Sequence, residues 1–251
     1  MKIFIVNLKR SVERRNKIAS QLDALNLDYE FVEAVDGTLM TADERAAASA
    51  TINYAFLPGE IGCALSHQKI YQKIVDSNIE AAMILEDDII FTREASDVLE
   101  KIKPASHRPE VILFSRANSY LSSPVSHLTH KHTLHKTLQA TTTHSYVINH
   151  KAAQSLLKNL HPIWITADKW TLFEEHAFVS VFSVIPHPVQ LSEEASQSTI
   201  NGNNDMSEIA RQKKAIWNQL MSSRPLKARL KHRFRRAIVP LFYKIVDQGK
   251  G

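Results

Sequence analysis

The sequence predicts an α/β protein built on a mostly parallel central sheet. Short apolar runs at Ile3–Val6, Ala81–Leu85, Val111–Ser115 and Val179–Ile185 have the length of buried strands, and segments with apolar residues at helical spacing lie between them. The chain opens strand, helix, strand with short connections, the unit from which parallel sheets are assembled. Its 251 residues, 44% hydrophobic and 23% charged, suffice for one large core or two modest ones. One main domain over residues 1–200 is expected, then a loop and helix over 201–223 and a separate tail over 224–251.

Ile3–Val6 is the first strand. The helix from Ser11 to Leu25 follows, with Ser11 as N-cap and Ile18, Leu22 and Leu25 on one face. Tyr29–Val35 is a second strand closed by the turn pair Asp36-Gly37. A right-handed crossover between parallel neighbours then sets Asn7 beside Asp36. Ala-rich Thr41–Ala50 reads as helix, and Pro58-Gly59-Glu60 breaks the chain before a helix from Ile61 to Asp76. Near its start that helix carries Gly62, Ser66 and His67, where free amides and the helix dipole favour an anion.

Strand Ala81–Leu85, helix Glu94–Lys103 and strand Val111–Ser115 come next. His127, His130, His132 and His135 lie in a polar stretch from Asn118 to Gln139, read as a solvated loop or hairpin, since no Cys or carboxylate accompanies them to make a metal cluster. Thr141–Ile148 reads as strand. Lys151–Leu160 reads as helix, ended by Pro162. Asp168 then sits between Trp164 and Trp170, a carboxylate beside apolar rings. Beyond Pro186-His187-Pro188 a polar loop through Asn201-Gly202-Asn203-Asn204 leads to a helix over Met206–Met221.

Glu86-Asp87-Asp88 is the most informative segment, because it joins the apolar runs Ala81–Leu85 and Ile89–Phe91. Burial of those neighbours carries the carboxylates to the edge of the core, where an uncompensated cluster repels itself and loses hydration. Solvated turns usually carry Gly, Pro or Asn, and none occurs between Ala81 and Phe91. A cation is therefore expected, and hard oxygen ligands suit Mg²⁺ or Mn²⁺, ions that commonly hold a substrate diphosphate.

A single cysteine, Cys63, excludes an internal disulfide framework and fits a reducing compartment; it reads as a buried apolar residue. Ile3–Val6 followed by Asn7 is too short for a signal-peptide core, and no apolar stretch approaches the roughly 20 residues that span a bilayer. A cytoplasmic protein is expected. The net charge of +5 belongs to the tail: residues 224–251 hold nine Lys or Arg against Asp247 alone, leaving the first 223 residues at −3. There Leu226, Leu230, Phe234, Ile238, Leu241, Phe242 and Ile245 recur at helical spacing, as in a basic amphipathic helix kinked at Pro240 and lying on anionic lipid. A packed terminal helix is the competing reading. The regular large apolar residues argue against nucleic acid as its partner.

The motifs Asn7-Leu8 with Arg10-Ser11 and Arg14-Arg15, Ala34-Val35-Asp36-Gly37, Gly59-Glu60-Ile61-Gly62-Cys63-Ala64-Leu65-Ser66-His67 and Leu85-Glu86-Asp87-Asp88 occur in order over the first 90 residues or so. In them the chain resembles glycosyltransferase family 25, the bacterial lipooligosaccharide glycosyltransferases related to β-1,4-galactosyltransferases. Asp168, Gln190 and Ser198 match later members of the pattern.

The resemblance implies a GT-A type, nucleotide-sugar-binding αβα sandwich. It implies an inverting transfer of a hexose, galactose or glucose, from a UDP-sugar to a lipid-linked lipooligosaccharide or lipopolysaccharide glycan, with the protein peripheral on the inner face of the inner membrane. It places Glu86, Asp87 and Asp88 on Mn²⁺ or Mg²⁺, with Asp88 foremost. Asn7, Arg10, Arg14, Asp36, Gly37, Glu60, Ser66, His67 and Gln190 would bind the donor. Asp168 would be the base that deprotonates the acceptor hydroxyl, its tryptophans stacking on sugar; the rival assignment gives Asp168 to the donor sugar and the base to Glu174, Glu175, Glu193 or Glu194. Of the other classes, a silent glycan- or membrane-binding protein would be favoured by an eroded acidic motif, and a nucleotidyltransferase would need a Gly-rich basic N-terminal loop.

Overall fold

The computed structural model describes residues 1–193 and 206–249. The N-terminal part runs β1 (Lys2–Asn7), α1 (Val12–Asp23), β2 (Glu30–Glu33), α2 (Ala42–Ala48), α3 (Pro58–Asp76), β3 (Ala81–Glu86), β4 (Ile89–Ile90), α4 (Arg93–Lys101) and β5 (Glu110–Leu113). It continues through β6 (Ser119–His127), β7 (Thr133–Gln139), β8 (Ser145–Asn149), α5 (His150–Leu160), α6 (Trp170–Glu175), β9 (Ser180–Ile185), β10 (Gln190–Leu191) and α7 (Met206–Ser222). The chain closes with α8 (Leu226–Arg233), a π-helical turn (Phe234–Ile238), α9 (Val239–Phe242) and β11 (Ile245–Asp247). The loop assigned to 201–204, Glu194 and Ser198 fall outside the described residues.

Nine strands form one sheet in the order β11-β6-β7-β9-β5-β8-β3-β1-β2, while β4 and β10 pair separately. Strands β1, β2, β3, β5, β6 and β9 share a direction, and β7, β8 and β11 oppose it. Alternation along each strand divides the core. Phe4, Ile84, Val111 and Tyr146 face α3, α5 and α6, whereas Ile3, Ile5, Met83, Leu85 and Val147 face α1 and α4. The result is an αβα sandwich. On α1 only Ile18 and Leu22 are fully buried, each contributing about 1.5–3 kcal/mol by leaving water, which holds the helix start over the ends of β1 and β3.

Three expectations need correction. Pro58 does not break the chain but opens α3, where its missing N–H costs nothing, and Glu60 accepts from the Leu57 amide. The stretch from 118 to 139 is a β6–β7 hairpin within the sheet, and two of its histidines are buried rather than solvated: His135 Nδ1 lies 2.8 Å from the Leu121 carbonyl oxygen and His132 Nδ1 3.1 Å from Thr129 Oγ1.

The tail is not an appendage. Strand β11 pairs with β6 at the sheet edge, and buried Glu175 of α6 gathers Arg224 (3.0 Å), His232 (2.9 Å) and Arg235 (2.7 Å). A buried carboxylate needs such partners. The tail therefore docks through its polar face and turns Leu226, Leu230, Phe234, Leu241 and Phe242 outward, Phe242 at 75% exposure. Pro240 sits in the first turn of α9, and the wider π turn just before it accommodates a residue that cannot continue the α ladder.

Candidate active site

The carboxyl ends of β1, β2 and β3 share one edge of the sheet, the usual place for ligands of such sheets. A cavity opens there, walled by Leu8 to Arg14, Ala34 to Thr38, the first turns of α3, Glu86 to Asp88, and His144. Strand β8 runs antiparallel to β3, with Ser145 opposite Leu85. The residue before β8, His144, is thereby delivered to the acidic motif.

The three acids take different roles. Glu86 and Asp88 turn toward His144, whose Nδ1 lies 3.2 Å from Glu86 Oε2 and 3.5 Å from Asp88 Oδ1. Asp87, assigned to the metal from sequence, turns instead toward α1: Asn7 Nδ2 donates to its Oδ2 (2.7 Å), and Arg14 lies 3.5 Å away. Burial raises the Asp87 pKa, opposed by the Asn7 hydrogen bond. Glu86 would likewise be raised by burial, but His144 and His67 beside it hold it well below the carboxylate range. Burial would lower the His144 pKa, yet Asp88 and Glu86 raise it to about 10. His144 thus adds positive charge to the cluster beside Arg14, which lies 3.6 Å from Asp88 as well.

The donor set fits a divalent ion. One ligand atom from each of Glu86, Asp88 and His144 lies within 4.8 Å of the others, and Asp88 Oδ1 and His144 Nδ1 are buried without a hydrogen-bond partner among the described residues. Two oxygens and one imidazole nitrogen suit Mn²⁺. Glu86 is oriented from behind by Thr143 Oγ1 (2.5 Å) and by a buried chain in which His67 Nε2 lies 3.4 Å from Glu86, His67 Nδ1 2.8 Å from Tyr146 Oη, and that hydroxyl 2.8 Å from Tyr71 Oη. Support of this kind fixes a ligand in place.

Arg10 is ion-paired with Asp36, and Asp36 also accepts from the Thr38 amide (3.1 Å) and hydroxyl (2.6 Å). The expected closeness of the β1 and β2 ends is thus realised through Arg10. Ser66 and His67 line the cavity yet are only 1% exposed: Ser66 Oγ donates to the Gly62 carbonyl and accepts from the Val35 amide, tying α3 to the end of β2. Asn7, 2% exposed, orients Asp87 from within the fold.

A second cavity adjoins the first, sharing Cys63, Glu86 and His144 with it and adding Tyr54, Glu60, Thr141 to Thr143, Thr166 to Lys169, and Lys213. Cys63 lines both cavities rather than the core; burial, with carboxylates nearby, pushes its thiol pKa up, so it stays protonated. Glu60 lies here, ion-paired with Lys213 of α7, and not in the first cavity. Asp168 lies here too, held by Lys169 Nζ (2.9 Å) and Thr166 Oγ1 (2.5 Å).

A family profile described as Glycosyltransferase family 25 (LPS biosynthesis protein) matches residues 1–171. The chain belongs to glycosyltransferase family 25. It is 40% identical over 115 residues to a glycosyltransferase 25 family member of Aedes aegypti, covering 39% of this chain and 18% of that protein. It is 27% identical over 172 residues to procollagen galactosyltransferase 2 of Homo sapiens, covering 62% of this chain and 27% of that one. The chain therefore spans under a third of the length of these relatives. A solved glycosyltransferase involved in glycosylation of the major capsid of PBCV-1 overlays 86% of the chain at a TM-score of 0.33 and 9% identity, too loose a fit to bear on function.

Several candidate residues stand away from the two cavities of this family 25 chain. Gln190 is exposed on β10, paired with Ile90 of β4; it is the neighbouring Ser192 whose amide braces the Asp88 carbonyl, at 2.8 Å. Trp170 is wholly buried, its Nε1 donating to the Thr142 carbonyl, and Trp164 Nε1 donates to Asn159, so neither ring reaches the Asp168 cavity. Glu174 pairs with Lys136 and accepts from the Val181 amide, and Glu175 anchors the tail. Neither lines the Asp168 cavity, nor does Glu193. No local pattern marks His144: the composition of Thr141–Ile148 gives a strand but not its direction, and only the antiparallel run beside β3 brings its start to the acidic motif.

Proposed function

We propose that this chain is a metal-dependent, inverting hexosyltransferase that moves galactose from UDP-galactose to a lipid-linked glycan at a membrane surface. The convergence of Glu86, Asp88 and His144 in a cavity lined by Arg10 and Arg14 carries the reading. Galactose is preferred to glucose because relatives of the chain are named procollagen galactosyltransferases. A lipopolysaccharide-type acceptor is preferred on the family description, together with the outward apolar face of the basic tail. No helix among the described residues is long and apolar enough to cross a membrane, so attachment would be at the surface, which the proposal puts on the inner face of the inner membrane.

Glu86, Asp88 and His144 would hold Mn²⁺ or Mg²⁺, which when bound offsets the charge developing on a departing diphosphate. Arg14 and Arg10 would take the uridine diphosphate; a guanidinium forks onto phosphate oxygens and would let Asp36 exchange Arg10 for a ribose hydroxyl or the base. Asp168 takes the proton of the acceptor hydroxyl as its oxygen bonds to the anomeric carbon and the bond to UDP breaks on the opposite face, giving inversion. Its neighbours Lys169 and Thr166 hold the carboxylate toward the shared cavity.

The experiment is a split of kinetic constants in Asp168→Asn. Loss of about 10² or more in kcat with unchanged affinity for UDP-galactose supports the base assignment. Collapse of donor affinity instead moves Asp168 to the donor sugar.

A further inference from the structure

A third cavity lies between residues of the 139–175 region and the C-terminal segment from Trp217 to Arg236. Thr141 and Lys169 line both it and the Asp168 cavity, so the two adjoin, and Trp217 of α7 forms part of its wall. Its remaining charged lining is Arg224, His232, Arg235, Arg236 and a single carboxylate, Glu175. One carboxylate requires one cation. Glu175 already receives two arginines and a histidine, and Arg236 on the rim has no hydrogen bond or ion pair with any described residue. Even with Lys169 assigned to Asp168, the lining keeps more cationic groups than carboxylates, an excess that an anion in the cavity would offset.

The geometry points to this cavity as an acceptor subsite for an anionic sugar substituent, a phosphate or a carboxylate, next to the hydroxyl that is glycosylated. Guanidinium groups suit both, since either anion presents paired oxygens to the planar fork. The indole of Trp217 supplies an apolar face for the ring that bears the charge. The placement next to the transfer site rests on the function proposed above; the anion site itself does not, and its test involves no turnover.

Trp217 is the reporter. Tryptophan fluorescence of the full chain is followed on addition of glucose 6-phosphate, glucuronate, glucose and inorganic phosphate, with Trp217→Phe assigning the signal. The subsite predicts saturable binding of at least one anionic sugar, which also tells phosphate from carboxylate, no response to glucose, and about tenfold weaker binding in Arg236→Gln at an unchanged unfolding midpoint. Equal binding of inorganic phosphate and glucose 6-phosphate would reduce the cavity to an adventitious anion site and overturn the proposal. So would Arg236→Gln binding as tightly as the wild type, or no response to either anionic sugar. Saturable sugar-phosphate binding by a protein that releases no UDP would sustain the subsite while refuting the transferase reading.

Discussion

Gly37 and Gly62 pack backbone against backbone. A Cβ on Gly62 would stand 2.6 Å from the Gly37 amide nitrogen and overlap the Val35 carbonyl, and one on Gly37 would overlap the Pro58 carbonyl. Two motifs some twenty residues apart are thus a single device that clamps the end of β2 to the first turns of α3 and closes one wall of the first cavity. Gly62→Ala should cost about 1–3 kcal/mol of stability, since the clash is with backbone that cannot swing aside. Thermal unfolding measures it; an unchanged midpoint would mean that the clamp yields freely.

The split between Asp87 and His144 is testable by metal binding alone. His144→Ala and Asp88→Asn should each weaken Mn²⁺ binding by at least about 100-fold, and Asp87→Asn by about tenfold or less, because Asp87 faces Asn7 and Arg14. Titration calorimetry of the purified chain distinguishes the residues. Equal losses from Asp87→Asn and His144→Ala would return the site to the three consecutive acids.

The outward face of the tail should bind anionic lipid. Replacing Phe234 and Phe242 together with Glu leaves the ion pairs of Glu175 intact yet places charge where the membrane would lie. Co-sedimentation with vesicles containing phosphatidylglycerol should fall sharply for this variant, and wild-type binding should weaken with salt. Vesicle binding that survives the double change would assign the face to another partner.

What the sequence disclosed, and what it hid, follow from locality. Glu86 to Asp88 were legible because charge set between two buried runs is costly within a few residues of chain. The Asp36-Gly37 turn and the start of α3 were legible for the same reason. His144 depends on the direction of β8 relative to β3, a fact of topology that no local pattern contains. The apolar periodicity of the tail was legible as well. Which face it would bury was not, because that choice is made by Glu175, some fifty residues earlier and unremarkable as one acid of a pair. Trp164 and Trp170 misled for the converse reason: proximity in sequence to Asp168 says nothing of the side to which a ring turns, and both turn into the core.

The central claim is that a divalent ion on Glu86, Asp88 and His144 activates a UDP-sugar. Release of UDP from a panel of UDP-sugars, in Mn²⁺ or EDTA, with wild type and Asp88→Asn, tests it most directly. The account predicts Mn²⁺-dependent release from UDP-galactose, abolished by EDTA and reduced at least about 10³-fold in Asp88→Asn. Release that persists in EDTA and is equal in the variant would contradict it.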